Sequence, residues 1–243
     1  MPHGGPDFDT TAGSRTTYRW SDLDEQAARL GSIVSFDRRG DLLFLDSFED
    51  GYRKWLATAV GAGAAVTLSR ASAHSGVYSM RCVPGSDGLR RVSLQRIWGY
   101  PVVSAFGLEL SATLHANLQQ ISMAIFVYTG ALAWQVYGRY YHTTGEWQIY
   151  VPPGIWVTIA TLANPMVDSR GYHTFKLVGD PSSGSYVRAI LNAQNVDISA
   201  YAMTSPVSVV SPQLFVDLQV ISIPLNNATV YLDDIIVTQN EPT

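Results

Sequence analysis

Residues 45–55, LDSFEDGYRKW, gather three carboxylates, Asp46, Glu49 and Asp50, into five positions ahead of Gly51 and Trp55. Three chemistries suit such a group. Paired acids cleave glycosidic bonds, with carboxyls about 5 Å apart for retention of configuration and about 6.5–9.5 Å for inversion. Acids with backbone carbonyls hold Ca²⁺, which takes about six to eight oxygens at about 2.3–2.6 Å. Acids at a strand end also face water or cap turns through backbone N–H groups.

The acid-pair chemistry lacks partners. The chain has five glutamates, Glu25, Glu49, Glu109, Glu146 and Glu241. Only Glu109, in FGLELSA, sits clearly within a strand pattern, and no acid neighbours it. A serine nucleophile fares no better, because no G-x-S-x-G occurs. His74, Ser75 and Gly76 read as a turn whose His and Ser do not face each other. The five histidines, His3, His74, His115, His142 and His173, are scattered and show neither H-E-x-x-H nor zinc-ligand spacing. GAGAA at 61–65 is a loop with no lysine after it, so no phosphate cradle is expected. Cys82 is the only cysteine, which leaves no disulfide framework within the chain and fits a small core residue.

A second group of residues is aromatic. AWQVYGRYYHTTGEW carries Trp134, Tyr137, Arg139, Tyr141 and Trp147 close to Glu146. Ring faces beside hydrogen-bonding groups suit a saccharide. Alternating aromatics also suit the core of a β-sandwich or a subunit interface, and the pattern alone fits these equally well.

The elements that must position these residues are nearly all strands. Residues 1–19 read as an extended arm. WSDLDEQAARLGS follows, with Ser21 as N-cap, acids in the first turn and Gly31 as the stop, which predicts one short helix. Two apolar runs flanking DRRG predict a β-hairpin. From there to the C-terminus, short alternating runs separated by Gly, Pro, Asn or Ser predict an all-β sandwich. The composition, 243 residues with 47% hydrophobic and 15% charged, allows one large β domain with a sizeable core. A net charge of −4, from 14 Arg and 2 Lys against 20 acids, argues against nucleic-acid binding by bulk electrostatics. No apolar h-region opens the chain and no run approaches the ~18 apolar residues of a membrane span. Synthesis in the cytoplasm without a signal peptide is the expectation.

Taken together, three stretches carry a family resemblance. FLDSFEDGYRKW followed by ASAHSGVYSMRC resembles the opening of jelly-roll carbohydrate-binding modules, and VYLDDIIVT resembles their closing strand with its Asp–Asp pair. YHTFKLVGDPSSGSYVRAILNAQNVDIS is similar to paired strands of concanavalin-like and laminin-G-like sandwiches. The likeness covers about residues 44–238 and implies an antiparallel jelly-roll β-sandwich. It also implies a structural calcium on Glu49, Asp50, the carbonyl of Ser75 and Asp234, joining the first and last strands. Glycosidases on such folds carry an E-x-D-x-x-E pattern on one strand, and this chain lacks it. The leader over residues 1–55 resembles that of tailed-bacteriophage virion proteins.

Two domains are therefore expected: an arm and helix over 1–35, and a sandwich over 36–243. The expected function is a non-enzymatic virion component, a capsid decoration or cement protein. It would assemble as a homo-oligomer, a trimer by first expectation, through its arm and sandwich faces, with a capsid or other virion protein as partner. A carbohydrate-binding module or lectin-like adhesin is the alternative, and a glycoside hydrolase stands behind both.

Overall fold

The computed structural model describes residues 37, 39–87, 90–99 and 102–243. The expected arm, helix and first hairpin strand lie outside these residues. Arg39–Thr243 is one compact unit. The described residues contain strands and turns and no helix.

Fifteen strands follow in order. The first five are β1 (Asp41–Asp46), β2 (Leu56–Val60), β3 (Ala65–Ser69), β4 (Ser79–Val83) and β5 (Arg91–Gly99). The next five are β6 (Phe106–Thr113), β7 (Leu118–Tyr128), β8 (Ala133–Tyr141), β9 (Glu146–Val151) and β10 (Ile155–Thr161). The last are β11 (Tyr172–Asp180), β12 (Ser185–Leu191), β13 (Gln194–Asp197), β14 (Gln213–Ser222) and β15 (Val230–Gln239). One sheet runs β13-β12-β11-β6-β15-β4-β3, with β1 also beside β15, and the other runs β10-β9-β8-β7-β14-β5-β2. The expected antiparallel sandwich of two sheets is the fold observed.

Period-two patterning builds the core. On β7, Ile121, Met123, Ile125 and Val127 face inward, and on β14 so do Leu214, Val216, Leu218 and Val220. From the other sheet, Phe106, Leu108, Leu110 and Ala112 of β6 meet them. Burying side chains of this kind contributes roughly 1.5–3 kcal/mol each. The intervening residues of β7 and β14 point to the opposite face.

The central strand β15 breaks its own alternation. Leu232 and Ile235 both belong to the core although three positions separate them. Pairing with β6 slips between Asp233 and Ile236, and Asp234 takes a left-handed φ of 46°. This is a β-bulge. Its extra residue resets parity, so that Val230 and Leu232 before it and Ile235 and Val237 after it share one face. Aspartate tolerates the left-handed conformation better than a β-branched residue would. On the side of β15 away from β6, β4 pairs up to Leu232 and β1 pairs from Ile235 onward. The bulge therefore sits at the gap between β4 and β1.

The C-terminal tail closes over the eight-stranded sheet. Glu241 pairs with Lys176 Nζ at 2.7 Å and with Arg188 Nη2, all with buried side chains. Thr238 Oγ1 donates to Glu241 Oε1 at 2.5 Å, and Arg188 Nη1 donates to the Pro242 carbonyl at 2.6 Å. Gly107 leaves room for this acid: a Cβ there would lie 2.7 Å from Glu241 Oε1 and 2.5 Å from Thr238 Oγ1.

Candidate functional site

The opening acids divide by role. Asp46 ends β1 and is buried. Its Oδ2 accepts Trp55 Nε1–H at 2.8 Å, and its Oδ1 accepts the Phe48 N–H at 3.1 Å and Lys54 Nζ at 3.4 Å. It is a structural clamp, and Trp55 is a core residue. Glu49 Oε1 accepts the N–H groups of Val77 and Tyr78, each at 2.7 Å. Asp50 is exposed, 3.7 Å from Lys54.

The bulge acids face the same 74–78 turn. Asp233 Oδ2 accepts the N–H groups of His74 at 2.7 Å and Ser75 at 3.2 Å. Asp234 Oδ1 accepts Ser75 Oγ–H at 2.5 Å, and Asp234 Oδ2 lies 2.6 Å from His74 Nδ1. The hydrogen bond to Asp234 raises the His74 pKa against the opposing effect of burial. Burial, and then the neighbouring Asp234, push Asp233 up to about 7. The turn thus ties Glu49, just after β1, to the bulge of β15 in a seam, and β1 itself pairs with β15.

The calcium set implied by the resemblance fits in part. Glu49, Ser75 and Asp234 meet at one turn, and their oxygen donors suit Ca²⁺. Asp50 points to solvent beside Lys54. Among the described residues, no group of three or more His, Cys, Asp or Glu side chains is arranged to hold a metal ion. The seam oxygens are engaged by N–H and O–H groups of the turn.

Glu109 on β6 is 2% exposed and stands opposite Lys176 in the register of β6 and β11. It belongs to the buried polar layer under the C-terminal tail, not to an open cleft.

The aromatic candidates separate cleanly. Trp147 is 1% exposed and packs on Phe175 with ring centroids 5.3 Å apart. Trp134 packs against the core and against Gly184 of the β11–β12 turn. Both drop out of the expected saccharide set, because strand parity sends them inward. Tyr137, Arg139 and Tyr141 occupy the intervening positions of β8 and face outward, half-buried.

The outward face of the seven-stranded sheet gathers further residues the sequence left unassigned. Its rows read directly from the strand register. One row runs Gln95–Asp217–Ala124–Tyr137 across β5, β14, β7 and β8. Tyr150 paired with Trp156 continues the face across β9 and β10. The next row runs Ser93–Gln219–Ser122–Arg139–Gln148–Thr158. Phe215 and Phe126 form a pair on the other side of the first row.

Ring contacts link these aromatics into a band. Centroids are 5.7 Å apart for Phe215–Phe126, 6.4 Å for Phe126–Tyr137, 5.7 Å for Tyr137–Tyr150 and 5.2 Å for Tyr150–Trp156. The band crosses β14, β7, β8, β9 and β10. Four interstrand spacings of about 4.8 Å give it a length of about 19 Å.

Amides flank the band. Arg139 lies 4.0 Å from the Trp156 ring centroid and 5.0 Å from that of Tyr141. Its Nε donates to Gln148 Oε1 at 2.8 Å and its Nη1 to Gln120 Oε1 at 3.4 Å. Gln148 Nε2 donates to Glu146 Oε2 at 2.8 Å. Asp217 accepts Gln95 Nε2 at 3.2 Å and Gln219 Nε2 at 2.5 Å. Burial raises the Asp217 pKa against these two donors.

No protein family and no curated protein matches the chain in sequence. Solved structures do share its fold. The carbohydrate esterase vb_24B_21 from the Shiga toxin-encoding bacteriophage phi24B aligns with a TM-score of 0.50 at 14% identity, over 83% of this chain and 100% of its own. The alginate lyase vAL-1 from Chlorella virus aligns with a TM-score of 0.51 at 10% identity, over 82% of this chain and 100% of its own. At such identities the likeness concerns the fold alone.

Proposed function

We propose that the outward face of the seven-stranded sheet binds an extended saccharide, and that the protein is a glycan-binding sandwich. The carrying observation is the aromatic band over five strands, set beside a row of glutamines, Arg139 and hydroxyl side chains. A Trp, two Tyr and two Phe in mutual contact on an outward sheet face stabilise the sheet as cross-strand pairs and at the same time offer a continuous row of ring surface to a ligand. Ring faces match the C–H faces of pyranose rings, and amides both donate to and accept from hydroxyl groups. A length of about 19 Å favours an oligosaccharide over a single sugar. The two structures of like fold are saccharide-active by name, which is in keeping with this class.

Binding is favoured over glycoside hydrolysis by the placement of the two acids on the face. Asp217 is on β14 and Glu146 on β9, three strands apart in the sheet order. Three spacings amount to about 14 Å between backbones, beyond the about 5 Å or 6.5–9.5 Å that an acid pair needs. Titration calorimetry with a panel of neutral and acidic oligosaccharides tests the proposal. Binding that disappears in both Tyr137→Ala and Trp156→Ala is expected. Silence across the panel would sink it.

A structural calcium at the seam belongs to the same reading, with Glu49, Ser75 and Asp234 as donors. Chelation followed by calcium addition should then move Tm reversibly, and an unchanged Tm counts against it. The expected virion role rests on the leader resemblance over about residues 1–55 and on homo-oligomeric assembly through the arm and sandwich faces, and the arm lies outside the described residues. The sheet face carries the better-supported reading.

A further inference from the structure

Resting on the saccharide reading, we infer that the ligand is an acidic saccharide and that Arg139 selects it, receiving a carboxylate or sulfate group on its open edge.

Arg139 is held on several sides. Its guanidinium lies over the Trp156 ring at 4.0 Å and beside Tyr141 at 5.0 Å. Two amide oxygens fix its plane, Gln148 Oε1 on Nε and Gln120 Oε1 on Nη1. Gln148 is itself oriented, because its Nε2 donates to Glu146. Its Oε1 is therefore committed to Arg139. The result is a rigid fork on a sheet, stacked and amide-pinned, with little rotamer entropy left to lose on binding.

What the fork lacks is an anion. Among the described residues, Arg139 forms no ion pair, and Nη2 donates to no group. Glu146 does not contact Arg139 directly: Gln148 stands between them, and the carboxylate acts on the guanidinium only at a distance. Asp217 is occupied by Gln95 and Gln219. Burial among the rings disfavours the charged form and lowers the Arg139 pKa. A partly desolvated guanidinium whose hydrogen bonds go to neutral amides, with no ion pair, carries a cost that an arriving anion repays.

The position fits selection. Arg139 is in the row next to Tyr137 on the same strand, beside Ser122 and Gln148. A pyranose lying along the Tyr137–Tyr150 part of the band, beside the Arg139–Trp156 stack, would present its ring substituents toward that row. A neutral hydroxymethyl group there gains one ordinary hydrogen bond. A carboxylate or sulfate gains a charge-assisted pair, which is about twice as strong.

The test compares wild type, Arg139→Lys and Arg139→Gln by titration calorimetry against three sets of oligomers. The sets are uronate oligomers, the same oligomers after carboxyl reduction, and sulfated neutral oligomers. Thermal unfolding confirms that each variant is folded. Expected for wild type is a preference of about tenfold or more for uronate or sulfated oligomers over neutral ones, shrinking as salt rises. The preferred set tells carboxylate from sulfate. Arg139→Gln should lower the affinity for acidic oligomers far more than for neutral ones and so erase the preference, and Arg139→Lys should keep only part of it. Equal binding of acidic and neutral oligomers by wild type overturns the inference and leaves the saccharide reading standing. So does an Arg139→Gln variant that loses both affinities in equal measure. Binding to none of the three sets overturns both.

Discussion

At the scale of single residues, two tryptophans in one short stretch of sequence have opposite fates. Trp147 and Trp156 flank the hairpin of β9 and β10, and only the strand parity of each decides its side. Trp147 is locked against Phe175 and near Tyr140 in the core. Trp147→Ala should cost about 3–5 kcal/mol in urea unfolding. Trp156→Ala should cost about 1 kcal/mol or less, because the side chain lies on a half-buried outer face, yet it should abolish saccharide binding. Equal stability losses in the two variants would contradict the assignment of faces. The sequence made Tyr137, Arg139 and Tyr141 visible as a candidate group. It could not separate them from Trp134 and Trp147, because alternation identifies two faces without saying which one is wet. Phe126, Tyr150, Trp156 and Gln148 were missed for another reason. They lie on other strands, and only pairing makes them neighbours. The one available signal was the pair of aromatics at alternate positions, Phe126 and Tyr128, in IFVY.

At the scale of elements, β15 is the strand on which the sheet turns. Deleting Asp234 should abolish folding, because every core residue after the bulge would point outward. Circular dichroism and proteolysis of the expressed variant check this, and a native-like fold would show that the bulge is dispensable. The tail strap makes an independent prediction. Glu241→Ala removes the carboxylate shared by Lys176 and Arg188. Taking one partner out of a buried ion pair costs about 3–5 kcal/mol, so the denaturation midpoint should fall sharply. The Asp–Asp pair was legible in the sequence as the counterpart of the opening acids. That it forms a bulge was not, since a bulge is defined by the partner strand it slips against.

At the scale of the whole molecule, the seam sets the response to pH. The Asp233 carboxyl has a folded-state pKa raised from 3.8 to about 7. Its ionisation therefore costs stability progressively as pH climbs through that window. His74 is raised above 6.5 by its bond to Asp234, so its contribution is complete below 6.5 and fades as pH passes its folded value. Both groups act in one direction, and Tm should be higher near pH 5 than near pH 8. Asp233→Asn should remove the decline below about pH 7, and His74→Gln the part above it. A Tm that rises with pH across this range would refute the account. The sequence by itself determined the class of the molecule. Short alternating strands, an apolar composition and turn residues at regular intervals leave an antiparallel sandwich as the way to bury one face of each strand. It also pointed to the meeting of first and last strands. Only the tertiary structure decided which aromatics reach solvent and that they form a band, because those neighbours are set by the register of five strands. It also decided that Asp46 and Glu49 clamp turns while Asp50 faces solvent. Both depend on contacts between residues far apart in the chain, and local patterns do not encode them.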